Sequence, residues 1–447
     1  MAYIPHTEEE RRQMLAAIGV EKIEDLYEDI PESVRFPDLQ LPGPISEMEA
    51  MGELQALSEG NLEVSHASCF LGAGAYHHFI PSVVDHILRR NEFYTAYTPY
   101  QPEISQGTLQ AIFEYQSVMC ELTGMEVSNA SHYDGATALA EAAIMALNHH
   151  RRKRHKVVLS PAIHPHYRQV VHTYTQGMGL TIVGEESCEN GPEKLAAMLD
   201  EDTTMVAVQY PDFFGNIHDY AALAAAAAEA GALLTVVVNP LALGMLKPPG
   251  EFGADIVVGD GQPLGIPLSY GGPYLGIFTS REKYVRKMAG RIAGETVDSR
   301  GQRGFVLTLT PREQHIRRAK ATSNICTNQG LMALASLVYL SVMGKQGLRK
   351  VAELCYHKAH YAASKIDTLP GFQHWNKHPF FHEFVIACPG PVGEINAHLL
   401  DYDILGGYDL GQDFPELKDH MLLAVTETIS IEEIEDLVEA LEEVSHA

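Results

Sequence analysis

Three polar stretches of this chain carry residues whose types and spacing could do chemistry. The first is Tyr94-Thr95-Ala96-Tyr97-Thr98-Pro99-Tyr100-Gln101-Pro102-Glu103-Ile104-Ser105-Gln106-Gly107. Its prolines and tyrosines make poor helix and poor strand. The segment reads either as a rigid loop presenting phenol and amide groups to a ligand or as a packed structural loop. Its candidates are Tyr97, Tyr100, Gln101, Glu103, Ser105 and Gln106. The second stretch, Asn129 to Ala138, runs into an alanine-rich segment. A polar, glycine-containing turn at a helix N-terminus offers free N–H groups and the positive end of the helix dipole to an anion, here at Ser131, Asp134, Gly135 and Thr137. The same pattern also caps an ordinary helix. In the third, Arg312, Arg317, Arg318 and Lys320 precede Thr322-Ser323-Asn324-Ile325-Cys326-Thr327-Asn328. The basic residues suit a solvated helix face. Equally, the hydroxyl- and amide-rich loop, with Asn324, Cys326 and Asn328, suits an interface or an anion.

These stretches need a scaffold, and the pattern between about 105 and 290 supplies one. Helices are expected over roughly 106–122, 135–150 and 220–230, the last capped by Asp219 and stopped by Gly231. Short apolar strands are expected at 157–159, 180–183, 205–208, 234–238, 256–258 and 274–279. Continuous apolar strands alternating with helices predict an α/β fold, a mostly parallel sheet covered on both faces. Ligands in such sheets sit at the carboxyl ends of the strands, where Asn239 and Asp260 fall. Residues 1–60 read as an N-terminal arm. Its first helix opens on the capping box Thr7-Glu8-Glu9-Glu10 and stops at Gly19. A large domain over 61–305 and a smaller α+β domain over 306–447 follow. The latter holds a strand at 384–387 and a last helix capped by Ser430 and Glu433.

Composition narrows the function classes. The 447 residues carry 58 acidic against 32 basic side chains, a formal charge of -26, which disfavours nucleic acid and anionic membrane as partners. No apolar run is expected to approach the roughly 20 residues of a membrane helix. Glu8, Glu9 and Glu10 stand where a secretion signal would be apolar, and the six cysteines form no CxxC pair. Both features lead us to expect a cytoplasmic protein with reduced thiols. The basic run His149 to Lys156 is expected to complement a helix C-terminus, and His164, beside Pro165, to be a structural histidine.

Residues 203–279 resemble the cofactor-binding half of a pyridoxal-phosphate (PLP) enzyme with its two main groups missing. The strand ending at Val238 is followed by Asn239, where such an enzyme places an Asp against the pyridine nitrogen. No lysine lies between Lys247 and Lys283 to hold the aldehyde. No arginine follows Arg349 to clamp a substrate carboxylate. Longer motifs narrow the resemblance. Tyr97 to Gly107, Asn129 to Ala142, Arg312 to Ile316 and Ala321 to Gln329 resemble the glycine decarboxylase P-protein of the glycine cleavage system, within it subunit 1 (the α subunit) of the two-subunit form. The resemblance runs nearly end to end.

It implies a type I PLP-dependent (aspartate aminotransferase-like) fold and an α2β2 assembly with subunit 2, whose lysine holds PLP, none being covalently bound here. The holoenzyme decarboxylates glycine and passes the aminomethyl group to the lipoyl arm of H-protein. By similarity the lysine position falls at or beside Gln262 and Pro263. No catalytic residue and no metal are then expected in this chain. The Tyr97–Gln106 loop would reach across the interface toward the partner's PLP or substrate, with Asn324–Asn328 as a second interface loop. A purely structural or regulatory pseudoenzyme is the alternative.

Overall fold

A computed structural model describes residues 6–95, 98–188, 190–309, 313–326 and 329–445. Tyr97, Arg312 and Asn328 lie outside the described residues. The chain divides into two compact units, Met1–Leu62 and Glu63–Ala447. The first holds α1 (Glu8–Ile18) and α2 (Glu47–Glu59), neither with a buried residue. The expected capping box is present: Thr7 N–H donates to Glu10 Oε2 at 2.7 Å, and Glu10 N–H donates back to Thr7 Oγ1 at 3.3 Å. Gly19 ends α1 in the left-handed region at φ 92°.

The second unit begins with β1 (Ser68–Cys69), α3 (Ser82–Leu88), α4 (Asn91–Tyr94) and α5 (Gln106–Thr123). Then come β2 (Val127–Ser128), α6 (Gly135–His149), β3 (Lys156–Leu159), α7 (Pro165–Thr175), β4 (Thr181–Val183) and α8 (Pro192–Ala197). They are followed by β5 (Thr203–Tyr210), α9 (Ala221–Ala230), β6 (Leu233–Val238), β7 (Ile256–Asp260) and β8 (Gly276–Ser280). The seven strands β2 to β8 form one sheet in the order β2-β8-β7-β6-β5-β3-β4. The run from β7 to β4 is parallel, while β8 is antiparallel to both of its neighbours. Side chains alternate across it. Leu159, Ala207 and Val258 pack under α6 and α7, whereas Val158, Val206, Val236 and Val257 pack under α9. Both faces are therefore covered, which is why these strands read as unbroken apolar runs. Register aligns Tyr210 with Val238 and Val238 with Gly259. Pro211, Asn239 and Asp260, the next residues, thus share one edge.

Next come the antiparallel hairpin β9 (Ile292–Val297) and β10 (Arg303–Thr308), the short α10 (Gln314–Arg317) and α11 (Gly330–Ile366). The sequence reading did not single out α11. Gly344 interrupts it at φ 59°, ψ -179°. Its length and composition would suffice to cross a membrane. Its apolar residues Leu334, Leu337 and Tyr339 instead share a core with Tyr115 and Met119 of α5. The rest comprises β11 (Gln373–His374), β12 (Glu383–Ala387), α12 (Val392–Leu400), β13 (Ile404–Leu405), β14 (Tyr408–Asp409), β15 (His420–Ala424) and α13 (Ile431–Ser445). An antiparallel sheet, β11-β12-β15-β14, shares an apolar core with α12, α13 and the end of α11.

Gly231 ends α9 at φ 68°, but Asp219 caps it from one residue further out, its Oδ1 accepting from Ala221 N–H at 2.9 Å. Ser430 and Glu433 exchange the two bonds of a capping box. The basic run does serve a helix C-terminus, though not its own: Arg154 Nη1 donates to Ala230 O of α9 at 2.8 Å. His164 is structural, with Nε2 2.9 Å from Ala73 O and Nδ1 accepting from His166 N–H at 3.1 Å. Burial pushes its pKa down to about 4, so the ring is neutral.

Candidate functional site

The edge shared by Asn239 and Asp260 is where an α/β sheet offers a ligand site, and here its groups are already spoken for. Asp260 is buried; Oδ2 accepts from Gly135 N–H, the first residue of α6, at 3.1 Å, and Oδ1 accepts from Gln262 N–H at 2.9 Å. Asp134 caps the same helix, its Oδ1 accepting from Thr137 N–H at 2.7 Å. Two of the N–H groups that the Asn129–Ala138 turn would lend to an anion are thus taken by the chain's own carboxylates. Ser131 Oγ accepts from Gln329 N–H at 3.0 Å and ties the turn to Gln329, just before α11. Glycine is required at 135: a Cβ there would lie 2.5 Å from Tyr167 Oη and 2.9 Å from Gly259 C. Burial pushes the Asp260 carboxyl up to about 7, even though backbone hydrogen bonds from Gln262, Gly135 and Leu275 favour its charged form.

Gln262 lies in the stretch between Lys247 and Lys283 that holds no lysine. It is buried, and its amide is fully engaged: Oε1 accepts from Tyr76 N–H at 2.9 Å, and Nε2 donates to Tyr76 O and Ile266 O, both at 2.8 Å. A second carboxylate braces the same segment. Glu383 of β12 accepts from Ala73 N–H and from Tyr76 O–H, both at 2.8 Å, and burial raises its pKa to about 7. Asn239 makes an Asx turn, its Oδ1 accepting from Leu241 N–H at 3.0 Å, while its Nδ2 is buried without a partner among the described residues. His132 stacks on Phe278 with centroids 4.7 Å apart, and burial drops its pKa to about 3.

A second cluster joins two of the three polar stretches around a residue the sequence reading passed over. Arg291 immediately precedes β9 and is 2% exposed. Its guanidinium pairs with Glu313, donates to Tyr100 Oη at 2.8 Å and to Cys326 Sγ at 3.0 Å, and lies 4.6 Å from the centre of the Tyr100 ring. His315 sets its ring edge-on to Tyr100 at 5.7 Å, with Nδ1 3.2 Å from Glu313 Oε2. Beside Glu313 lies a cavity of about 200 Å³, lined also by Arg286, Lys287, Arg317 and Ser323. Ser323 Oγ donates to Glu141 Oε1 at 2.7 Å, and burial lifts that carboxyl to about 7. The signal for Arg291 was weak: one arginine between Gly290 and the apolar start of a strand.

The remaining candidates serve this cluster or face solvent. Gln106 binds the backbone of Phe305 from both ends of its amide, Oε1 accepting from N–H at 2.8 Å and Nε2 donating to O at 2.9 Å. This clamps the N-terminus of α5 to the β9/β10 hairpin. Ser105 begins α5 without a side-chain cap. Gln101, Glu103 and Asn324 are exposed, Tyr100 is half exposed, and Cys326 is partly buried.

The sequence pattern of the glycine cleavage system P-protein matches residues 1–441. The chain belongs to the glycine cleavage system P-protein family. It is 56% identical over 446 residues, 99% of each chain, to a probable glycine dehydrogenase (decarboxylating) subunit 1 of Thermomicrobium roseum. A protein of the same description from Desulforamulus reducens is 56% identical over the whole of both chains. A crystal structure of glycine decarboxylase (P-protein) of the glycine cleavage system, in inhibitor-bound form, superposes with a TM-score of 0.90. It is 42% identical, and the match covers 99% of this chain and 100% of that one. Lactobacillus brevis glutamate decarboxylase, 12% identical, shares the fold at a TM-score of 0.68 over 92% and 95% of the two chains. The fold of this P-protein family member is the type I fold of PLP-dependent enzymes. Its own strand-end edge does not fit PLP: the Gly135 and Thr137 N–H groups are held by carboxylates, no lysine lies between Lys247 and Lys283 to hold the aldehyde, and an asparagine, Asn239, follows β6.

Proposed function

We propose that this chain is subunit 1 of a two-subunit glycine decarboxylase and completes an active site whose PLP and lysine belong to subunit 2. The observation that carries this reading is the strand-end site, closed by Asp260 and Gln262 in a chain matched along its full length by proteins named subunit 1. With the partner, in an α2β2 heterotetramer, the enzyme decarboxylates glycine, releases CO2 and hands the aminomethyl group to the lipoyl arm of H-protein. PLP supplies the electron sink in the partner. This chain contributes shape and polar groups through the 97–106 loop, with the 324–328 loop as a second contact. Six free cysteines support a reducing, cytoplasmic setting.

The test is absorbance of bound PLP, with borohydride trapping, on the purified chain alone and mixed with subunit 2. The expected result is no cofactor on the isolated chain and glycine–CO2 exchange on mixing. Cofactor on the isolated chain would overturn the proposal. Replacing Tyr100 and Gln101 is expected to lower exchange while assembly persists. Unchanged exchange would leave this chain a purely structural partner.

A further inference from the structure

Tyr100 and Arg291 form a pair whose parts differ sharply in exposure. Arg291 is 2% exposed and Tyr100 51% exposed. A guanidinium has donors only, so in the 2.8 Å contact from Arg291 Nη2 the Tyr100 oxygen is the acceptor. The phenol's own proton is therefore left for an acceptor outside the pair. The guanidinium carbon 4.6 Å from the ring centre and the His315 edge hold the ring, and Glu313 balances the buried charge. Only arginine can stack, pair with a carboxylate and donate to a phenol at once; the point charge of a lysine lacks the planar fork.

We propose that Arg291 is a positioning residue, holding the Tyr100 phenol so that its O–H is donated across the interface to an anionic oxygen in the partner's active site. The shared chemistry is that of a carboxylate, as on glycine, or of a cofactor phosphate. The arginine touches neither and acts through the phenol. This rests on the reading that the 97–106 loop faces the partner's site.

The experiment compares Tyr100→Phe, Arg291→Lys and the double variant, each mixed with subunit 2. The readouts are KM for glycine against kcat, PLP affinity by absorbance titration, heteromer content, and melting of the isolated chain. Each single variant is expected to raise KM for glycine, or the PLP dissociation constant, about tenfold or more, the loss of one hydrogen bond to a charged group. kcat should change far less, and Tyr100→Phe should leave melting and assembly unchanged. The double variant should be no worse than the worse single one, because both remove the same donated bond. A rise in KM alone assigns the bond to the substrate carboxylate, and a rise in the PLP constant assigns it to the phosphate. If the single effects multiply, or if Arg291→Lys matches the parent while Tyr100→Phe does not, the positioning role is overturned. If Tyr100→Phe and Gln101→Ala are both silent, the loop does not face the partner's site, and the wider reading of this chain fails with it.

Discussion

The strand-end edge and the Arg291 cluster are both polar, yet they are built to opposite ends. At the strand ends the Gly135 and Thr137 N–H groups and the whole Gln262 amide are bonded within the chain. In the Arg291 cluster a buried cation organises a half-exposed phenol whose proton is left over. A closed polar network contributes rigidity, whereas one that ends in an outward group contributes recognition. One chain can therefore be well ordered at its strand ends and still present a polar group outward elsewhere.

The contrast can be broken most forcefully at Arg291. Arg291→Met strands the Glu313 carboxylate in the interior, and the isolated chain is expected to lose about 3–5 kcal/mol of stability in urea unfolding. A loss below about 1 kcal/mol would show the pair to be solvated. At the strand ends, Gln262→Ala orphans Tyr76 N–H, Tyr76 O and Ile266 O, at an expected cost of about 2–4 kcal/mol by the same measurement. A near-neutral result would mean that water replaces the amide and that the edge is open.

Asp260 sharpens the comparison through pH. Its carboxyl titrates at about 7 in the fold against an ordinary value of 3.8. Across that window the folded chain holds a proton that the unfolded chain has released. Its contribution to stability is therefore greatest at the acid end, is lost as pH rises toward about 7, and is flat above. Urea midpoints of the parent chain should fall more steeply from pH 5 to 7 than those of Asp260→Asn; parallel profiles would place the carboxylate in contact with water. The smallest effect is expected at Tyr100. Tyr100→Phe should change the stability of the isolated chain by less than about 1 kcal/mol, since the group is half exposed and Arg291 keeps Glu313 and Cys326. A larger loss would make the phenol a structural strut.

The sheet was legible because its strands are buried on both faces and its helices carry plain stops. Gly19 and Gly231 end their helices, and the Thr7 and Ser430 boxes open theirs, as local chemistry requires. Less legible were β2, two residues long, and the antiparallel run of β8, because strand direction is set by pairing rather than by pattern. α11 escaped notice because its interruption at Gly344 splits one apolar stripe into two shorter ones. Of the candidate site, the Tyr94–Gly107 loop and the 312–329 stretch stood out by composition, but no spacing links Tyr100 to Arg291, 191 residues away.

The sequence by itself determined that the chain is an α/β protein, where Asn239 and Asp260 fall at strand ends and no lysine follows between Lys247 and Lys283. Those are properties of local pattern and of a missing amine, and both can be read along the chain. Only the tertiary structure decided that Asp260 reaches the N-terminus of α6, that Gln262 binds Tyr76 186 residues away, and that Arg291 lies beneath Tyr100. Such contacts depend on which buried donors find acceptors once the layers have packed, and that pairing follows from three-dimensional proximity rather than from order along the chain.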